Sequence, residues 1–208
     1  MDIAFVLYPR LTALDLAGPY DVLAHQPEVT AHLVAASPDP VRTDAGLTIV
    51  PTTTFAELDR ADVVVVPGGA GWAEVLADGV VADWLRAVHP TATWTTSVCS
   101  GSTLLAQAGI LDGRTATTHW ALRDELAALG AVVSTERVVF DGDVATGAGV
   151  SAGIDLALTL VGRIWGDERA RLTQLFIEYD PRPPYRAGSP EQVPDELVAL
   201  ARGVFAGR

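Results

Sequence analysis

Apolar positions along this chain follow two rhythms. Short unbroken runs of valine, isoleucine and leucine alternate with longer stretches in which apolar residues recur every three or four positions. These are the periods of buried strands and of helices with one apolar face. Residues 3–8 form the first run and predict a strand that Pro9 ends. Residues 14–24 predict a helix that tolerates Pro19 near its first turn. Residues 29–36 read as a second strand, and 46–51 as a short β segment, half of a hairpin. The clearest buried parallel strand is Asp62-Val63-Val64-Val65-Val66-Pro67, with Gly68-Gly69-Ala70-Gly71 at its carboxyl end.

The alternation continues downstream. Residues 80–88 predict a helix, 92–98 a strand, and 102–108 a helix that Gly109 stops. Residues 120–129 predict a helix ended by Gly130, followed by β-like pieces at 132–133, 137–140 and 144–146 around an Asp141-Gly142 turn. Two helices follow at 149–165 and 167–177. A proline-rich extended segment at 179–190 leads to a closing helix at 194–205. The pattern predicts a single α/β domain over residues 1–208, a mostly parallel sheet with helices on both faces. Such sheets bind ligands at the carboxyl ends of their strands. Gly68-Gly69 and Cys99 both fall there.

Composition narrows the partners. The chain has 208 residues, 49% hydrophobic and 19% charged, which suits a well-buried globular domain and argues against disorder. Its net charge is −12, and all 14 basic residues are arginine. That balance disfavours nucleic acid and anionic membrane as partners. No apolar run approaches a membrane span, and the amino terminus lacks a basic leader. One cysteine forms no internal disulfide, and the expected compartment is the cytoplasm, with Cys99 a free thiol. Four scattered histidines and one cysteine show no metal-ligand spacing, so no metal or organic cofactor is expected.

The candidate chemistry centres on Thr95-Thr96-Ser97-Val98-Cys99-Ser100-Gly101-Ser102. A strand enters this segment, a helix leaves it, and small residues crowd the corner between them. That is the layout of a nucleophile elbow carrying sulfur in place of oxygen. Helix amides at the corner lower the cost of negative charge on sulfur. A lone cysteine is otherwise a small buried hydrophobe.

Three further elements accompany it. Gly68-Gly69 lets backbone approach a ligand, and the Gly69 amide is expected to pair with that of Ser100 as an anion hole; the alternative is a plain turn. Asp15, flanked by apolar residues, is either a helix N-cap or a buried acid whose raised pKa lets it carry a proton. His119 either orients the thiol or is a structural hydrogen-bonder at a helix start. Trp120, Trp165 and Phe176 are candidate pocket aromatics, though aromatics at helical positions are more often core.

With these residues assembled, the chain resembles the DJ-1/PfpI superfamily, and within it the branch that hydrates isonitriles. The markers are Leu14-Asp15-Leu16-Ala17-Gly18-Pro19, Val66-Pro67-Gly68-Gly69, Ser97-Val98-Cys99-Ser100-Gly101-Ser102, Ala116-Thr117-Thr118-His119-Trp120, Gly149-Val150-Ser151-Ala152-Gly153-Ile154-Asp155 and Glu178-Tyr179. The resemblance implies a flavodoxin-like sandwich, a homodimer, and hydration of a small isonitrile to an N-substituted formamide without a cofactor. It implies Cys99 as nucleophile, Asp15 as acid partner and Ser100 as a third catalytic residue, with Gly69, Val150 and His119 binding substrate. The branch usually carries threonine where this chain has Ser100, and a glycine-richer version of residues 146–150. The alternatives are a ligand-sensing module related to amidase-like regulators, a glyoxalase- or hydrolase-like thiol enzyme, and a redox sensor that oxidises Cys99. The regulators append a DNA-binding region, for which the twenty or so residues after Ser189 are too few.

Overall fold

The structure is a computed structural model and describes residues 1–206. Gly207 and Arg208, the last two residues of the expected domain, lie outside the described residues. The first half runs β1 (Asp2–Val6), α1 (Ala13–Leu23), β2 (Thr30–Ala35), β3 (Val41–Arg42), β4 (Thr48–Ile49), β5 (Thr53–Thr54) and β6 (Val63–Val66). It continues through α2 (Trp72–Asp78), α3 (Val80–Val88), β7 (Trp94–Val98) and α4 (Gly101–Gln107). The second half holds β8 (Thr115–Ala116), α5 (Arg123–Ala128), β9 (Val132–Val133), β10 (Val138–Asp141) and β11 (Val144–Gly147). Helices α6 (Ala152–Trp165), α7 (Asp167–Phe176) and α8 (Asp195–Ala206) close it.

Seven strands form the central sheet in the order β10-β11-β7-β6-β1-β2-β5. All neighbouring pairs are parallel except β10 with β11. The chain steps from β1 outward to β2, then crosses back to β6 on the other side of β1. Right-handed crossovers in opposite directions place their helices on opposite faces. Accordingly α1, α6 and α7 pack together, while α2, α3 and α5 gather around α4. The reversal at β1 and β6 creates a crevice at the carboxyl ends of the central strands.

Burial follows the strand reading. All four valines of β6 are buried, as are residues 3–6 of β1. A sheet covered on both faces tolerates no polar alternation in its central strands. The expected flavodoxin-like α/β sandwich is borne out, and the β segment at 46–51 is half of a hairpin, β3 pairing antiparallel with β4.

Several local expectations need correction. Residues 72–78 form a helix where only a glycine-rich turn is expected, because its N-cap is Gly71 with no side-chain cap to announce it. Strands β5 and β8 are two residues long, too short to carry a periodic signal. The helix expected over 120–129 is a 3-10 turn at Trp120–Leu122 followed by α5. The helix expected from residue 149 begins at Ala152, since residues 149–151 are still turning behind the cysteine.

Candidate active site

Strand β7 delivers Cys99 to the elbow. Its φ is +58°, a left-handed conformation that costs an L-residue roughly 1–2 kcal/mol. Surrounding hydrogen bonds hold it there. The Cys99 amide donates to the carbonyls of Gly147 (3.0 Å) and Ala148 (2.9 Å). Its carbonyl accepts from the hydroxyls of Thr118 (2.9 Å) and Ser102 (3.1 Å). Two small hydroxyl residues next to the elbow are therefore structural clamps on the strained peptide, a role their types alone do not reveal.

Asp15 lies in the first turn of α1, but it caps nothing. The N-cap is Thr12, and the Asp15 side chain turns inward until it is fully buried. Its Oδ2 accepts the Gly68 amide at 2.9 Å, and the Thr12 amide donates to the Gly68 carbonyl at 2.8 Å. This reciprocal pair locks the start of α1 to the loop after β6. The Asp15 carboxyl also lies beside the Cys99 thiol, near enough for each to shift the other's ionisation, and its Oδ1 is buried with no hydrogen-bond partner. Residues 84 positions apart in sequence thus meet in one buried contact.

The electrostatics of that contact are mutual. Burial pushes the Asp15 carboxyl up to about 7, against the opposing pull of the Gly68 amide and the thiol, with Asp44 adding repulsion. Burial, and then the Asp15 charge, push the Cys99 thiol well above its ordinary value. The backbone amides of Val150 and Ser100 pull the other way, favouring charge on the sulfur. Two acids this close titrate as a coupled pair, in which the carboxyl ionises first, near 7, and its charge then helps hold the thiol high.

The expected pairing of the Gly69 and Ser100 amides is corrected by these contacts. The Gly69 amide is already committed, donating to Ser100 Oγ at 2.9 Å. The amides that favour charge on the sulfur are those of Ser100 and Val150. The Ser100 hydroxyl therefore ties the Gly68-Gly69 loop to the elbow. Tyr8 completes this layer, although its place at the end of an apolar run gives it the look of a strand-end hydrophobe. Its buried hydroxyl donates to the Pro67 carbonyl at 2.9 Å.

Glycine is required at two positions of that loop by close approach. A Cβ on Gly68 would stand 2.5 Å from the Ser100 amide nitrogen and 2.8 Å from Asp15 Oδ2. One on Gly69 would stand 2.4 Å from the Arg10 carbonyl oxygen. Gly68→Ala is expected to destabilise the protein by about 1–3 kcal/mol and to disturb the thiol–carboxyl contact. Chemical denaturation, together with the rate of Cys99 alkylation, checks it; an unchanged midpoint and rate would contradict the packing argument.

A cavity of about 550 Å³ opens above the sulfur. Cys99, Ser100, Gly69, Val150 and His119 line it, joined by Ala70, Trp72, Leu122 and, from α8, Arg202 and Phe205. Asp15 is absent from its wall and sits behind the sulfur. His119 accepts the Ala121 amide at Nδ1 (3.3 Å), the structural alternative for this residue. Burial, then Arg123, lower its pKa to about 4, so the ring is neutral at physiological pH. Of the candidate aromatics, Trp165 packs against the core and Phe176 is exposed. Trp120 carries the Arg202 guanidinium over its ring at 5.0 Å. Among the described residues no cluster of three or more His, Cys, Asp or Glu is arranged to hold a metal ion, and no helix is long and apolar enough to cross a membrane.

A strained cysteine elbow, a buried carboxyl beside its sulfur and a cavity at the switch point of a doubly wound sheet are the architecture of cysteine-centred α/β proteins. Residues 1–163 match the DJ-1/PfpI family, and the chain belongs to it, in agreement with its motifs. Over 202 residues it is 47% identical to isonitrile hydratase of Pseudomonas putida, covering 97% of this chain and 89% of that one. The crystal structure of a ThiJ/PfpI family protein from Pseudomonas syringae matches with a TM-score of 0.95 at 39% identity, over 99% of this chain and 86% of that one. The HTH-type transcriptional regulator CdhR of Pseudomonas aeruginosa is 27% identical over 85% of this chain, which spans 54% of the regulator's length.

Proposed function

We propose that this protein hydrates an isonitrile, R–N≡C, to an N-substituted formamide, R–NH–CHO. The observation that carries the reading is the Asp15–Cys99 pair, a buried carboxyl beside the thiol of the cavity wall, its pKa raised by burial to about 7. The 47% identity to an isonitrile hydratase over nearly the whole chain supports it.

In the reactive form the proton sits on Asp15 and the charge on sulfur, steadied by the Ser100 and Val150 amides. The thiolate attacks the terminal carbon of the isonitrile, which is electrophilic there, forming the C–S bond. Carbon receives the Asp15 proton, giving a thioimidate, R–N=CH–S. Asp15, now a carboxylate, takes a proton from water as its oxygen adds to the same carbon, and passes that proton to nitrogen. The tetrahedral adduct then collapses. Its hydroxyl proton returns to Asp15, the C=O bond forms, the C–S bond breaks, and the thiolate is restored with the formamide released.

Gly69, Val150 and His119 are proposed to contact substrate from the cavity wall, with Ser100 holding the elbow and loop together. A homodimer and a cytoplasmic location belong to the same proposal. Helix α7 leaves Leu172, Leu175 and Phe176 exposed, an apolar face of the kind a second copy covers.

Incubation of the purified protein with a simple alkyl isonitrile tests the reading. Stoichiometric conversion to the formamide, followed by loss of the isonitrile infrared band and by mass spectrometry, is expected. No turnover across several alkyl isonitriles would defeat it and favour the ligand-sensing alternative.

A further inference from the structure

We propose that helix α8 belongs to the substrate site and that Phe205 limits the size of the group an isonitrile carries, favouring compact uncharged substituents. This rests on the reading of the cavity as an isonitrile site. Its basis is how α8 is held to the body. The helix turns Leu200 and Val204 to solvent, both more than half exposed. Arg202 and Phe205, three residues apart and so on one face, turn to the turn that follows β8. Arg202 lies over Trp120, and Phe205 stacks on His119 with centroids 4.8 Å apart and planes within 6°. Just before α8, Glu191 pairs with Arg123 at 3.5 Å. The described side-chain contacts of the helix thus converge on the thiol cavity.

The stack itself argues for a size limit. Rings in contact at 4.8 Å leave no space for a third ring between them, since each aromatic contact occupies roughly 3.5 Å. A substituent must therefore fit below the stacked pair, in the space bounded by Val150, Leu122, Ala70 and the sulfur. His119 is uncharged at neutral pH, so this wall offers ring faces and aliphatic surface to the R group. Of the charged groups at the cavity wall, Arg10 pairs with Glu74 at 2.6 Å, Asp44 accepts the Thr12 hydroxyl, Arg202 lies over Trp120, and none of these or Glu125 is buried. An apolar R group is accepted without stranding a buried charge.

The test compares the full-length protein with Phe205→Ala and Phe205→Trp in two assays. The first is kcat/KM for isopropyl isonitrile and for a biphenylyl isonitrile. The second is the alkylation rate of Cys99 by iodoacetamide and by N-pyrenylmaleimide, followed by mass; Cys99 is the sole cysteine. Phe205→Ala is expected to raise the bulky-to-compact ratio about tenfold in both assays, the scale of discrimination that a side-chain-sized change in a pocket gives. Phe205→Trp is expected to lower that ratio below the starting protein, a shift that loss of folding would not produce. Equal ratios in all three proteins overturn the proposal. A size shift in alkylation without turnover of any isonitrile overturns the hydratase reading and leaves Phe205 as the wall of a different thiol pocket.

Discussion

Cys99→Ala is expected to fold and to lose formamide production by ~10⁴-fold or more, because no other group in the cavity replaces a covalent nucleophile. Cys99 is 4% exposed and packs with Val98, Ala145 and Leu156. Removing the sulfur leaves a gap smaller than a methyl-sized cavity and costs about 1 kcal/mol. Alanine keeps the Cβ, so the strained backbone at φ +58° and its clamps from Thr118 and Ser102 are retained. Steady-state assay of formamide and a thermal melt check both halves. Normal turnover by Cys99→Ala would remove sulfur from the mechanism.

Asp15→Asn is the second large effect, and it separates activity from stability. Asparagine still offers an oxygen to the Gly68 amide but carries no transferable proton, so turnover is expected to fall by about 10²–10⁴-fold. In the unaltered protein kcat/KM is expected to rise as pH increases through about 7, where the pair loses its first proton. In Asp15→Asn that rise moves to more alkaline pH, since the thiol then titrates alone and burial still holds it high. A pH profile of kcat/KM for both proteins decides this; superimposable profiles would rule out the coupled pair.

Stability moves in the opposite sense. The folded carboxyl ionises near 7 and an unfolded one at 3.8, so between those values the folded state holds the extra proton. The contribution of Asp15 is therefore most favourable below 3.8 and is lost as pH rises through about 7. Forcing it to ionise in its burial costs up to ~4 kcal/mol. Asp15→Asn carries no such cost, and its stability relative to the unaltered protein is expected to grow from pH 4 to pH 8. Urea unfolding at the two pH values measures the difference. A less active, more stable variant is the signature of a group retained for chemistry.

Much of the architecture is legible in the amino-acid sequence. Parallel strands buried on both faces are continuous apolar runs, so β1, β6 and β7 announce themselves by hydrophobicity, and a glycine-rich loop beyond β6 marks the carboxyl end. The elbow at Cys99 is legible for the same reason, a strand, a crowded corner and a helix in succession. Helix α2 is not, because it begins behind a glycine with no capping side chain.

The sequence by itself determined the layered α/β sandwich, the family and the corner position of the cysteine proposed as nucleophile, because these follow from local periodicity and from residue types at one corner. Only the tertiary structure decided what surrounds that sulfur. It turned Asp15 from a plausible helix cap into a buried partner of the thiol. It assigned the Gly69 amide to the Ser100 hydroxyl and set the Val150 amide where it favours charge on the sulfur. It folded Phe205, 106 positions beyond Cys99, onto His119 above the cavity. The physical reason is common to all three. Hydrogen bonds and ring stacks between distant segments depend on where crossover connections set the ends of strands and helices, and no periodicity along the chain encodes which of several donors or rings arrives at a given point in space.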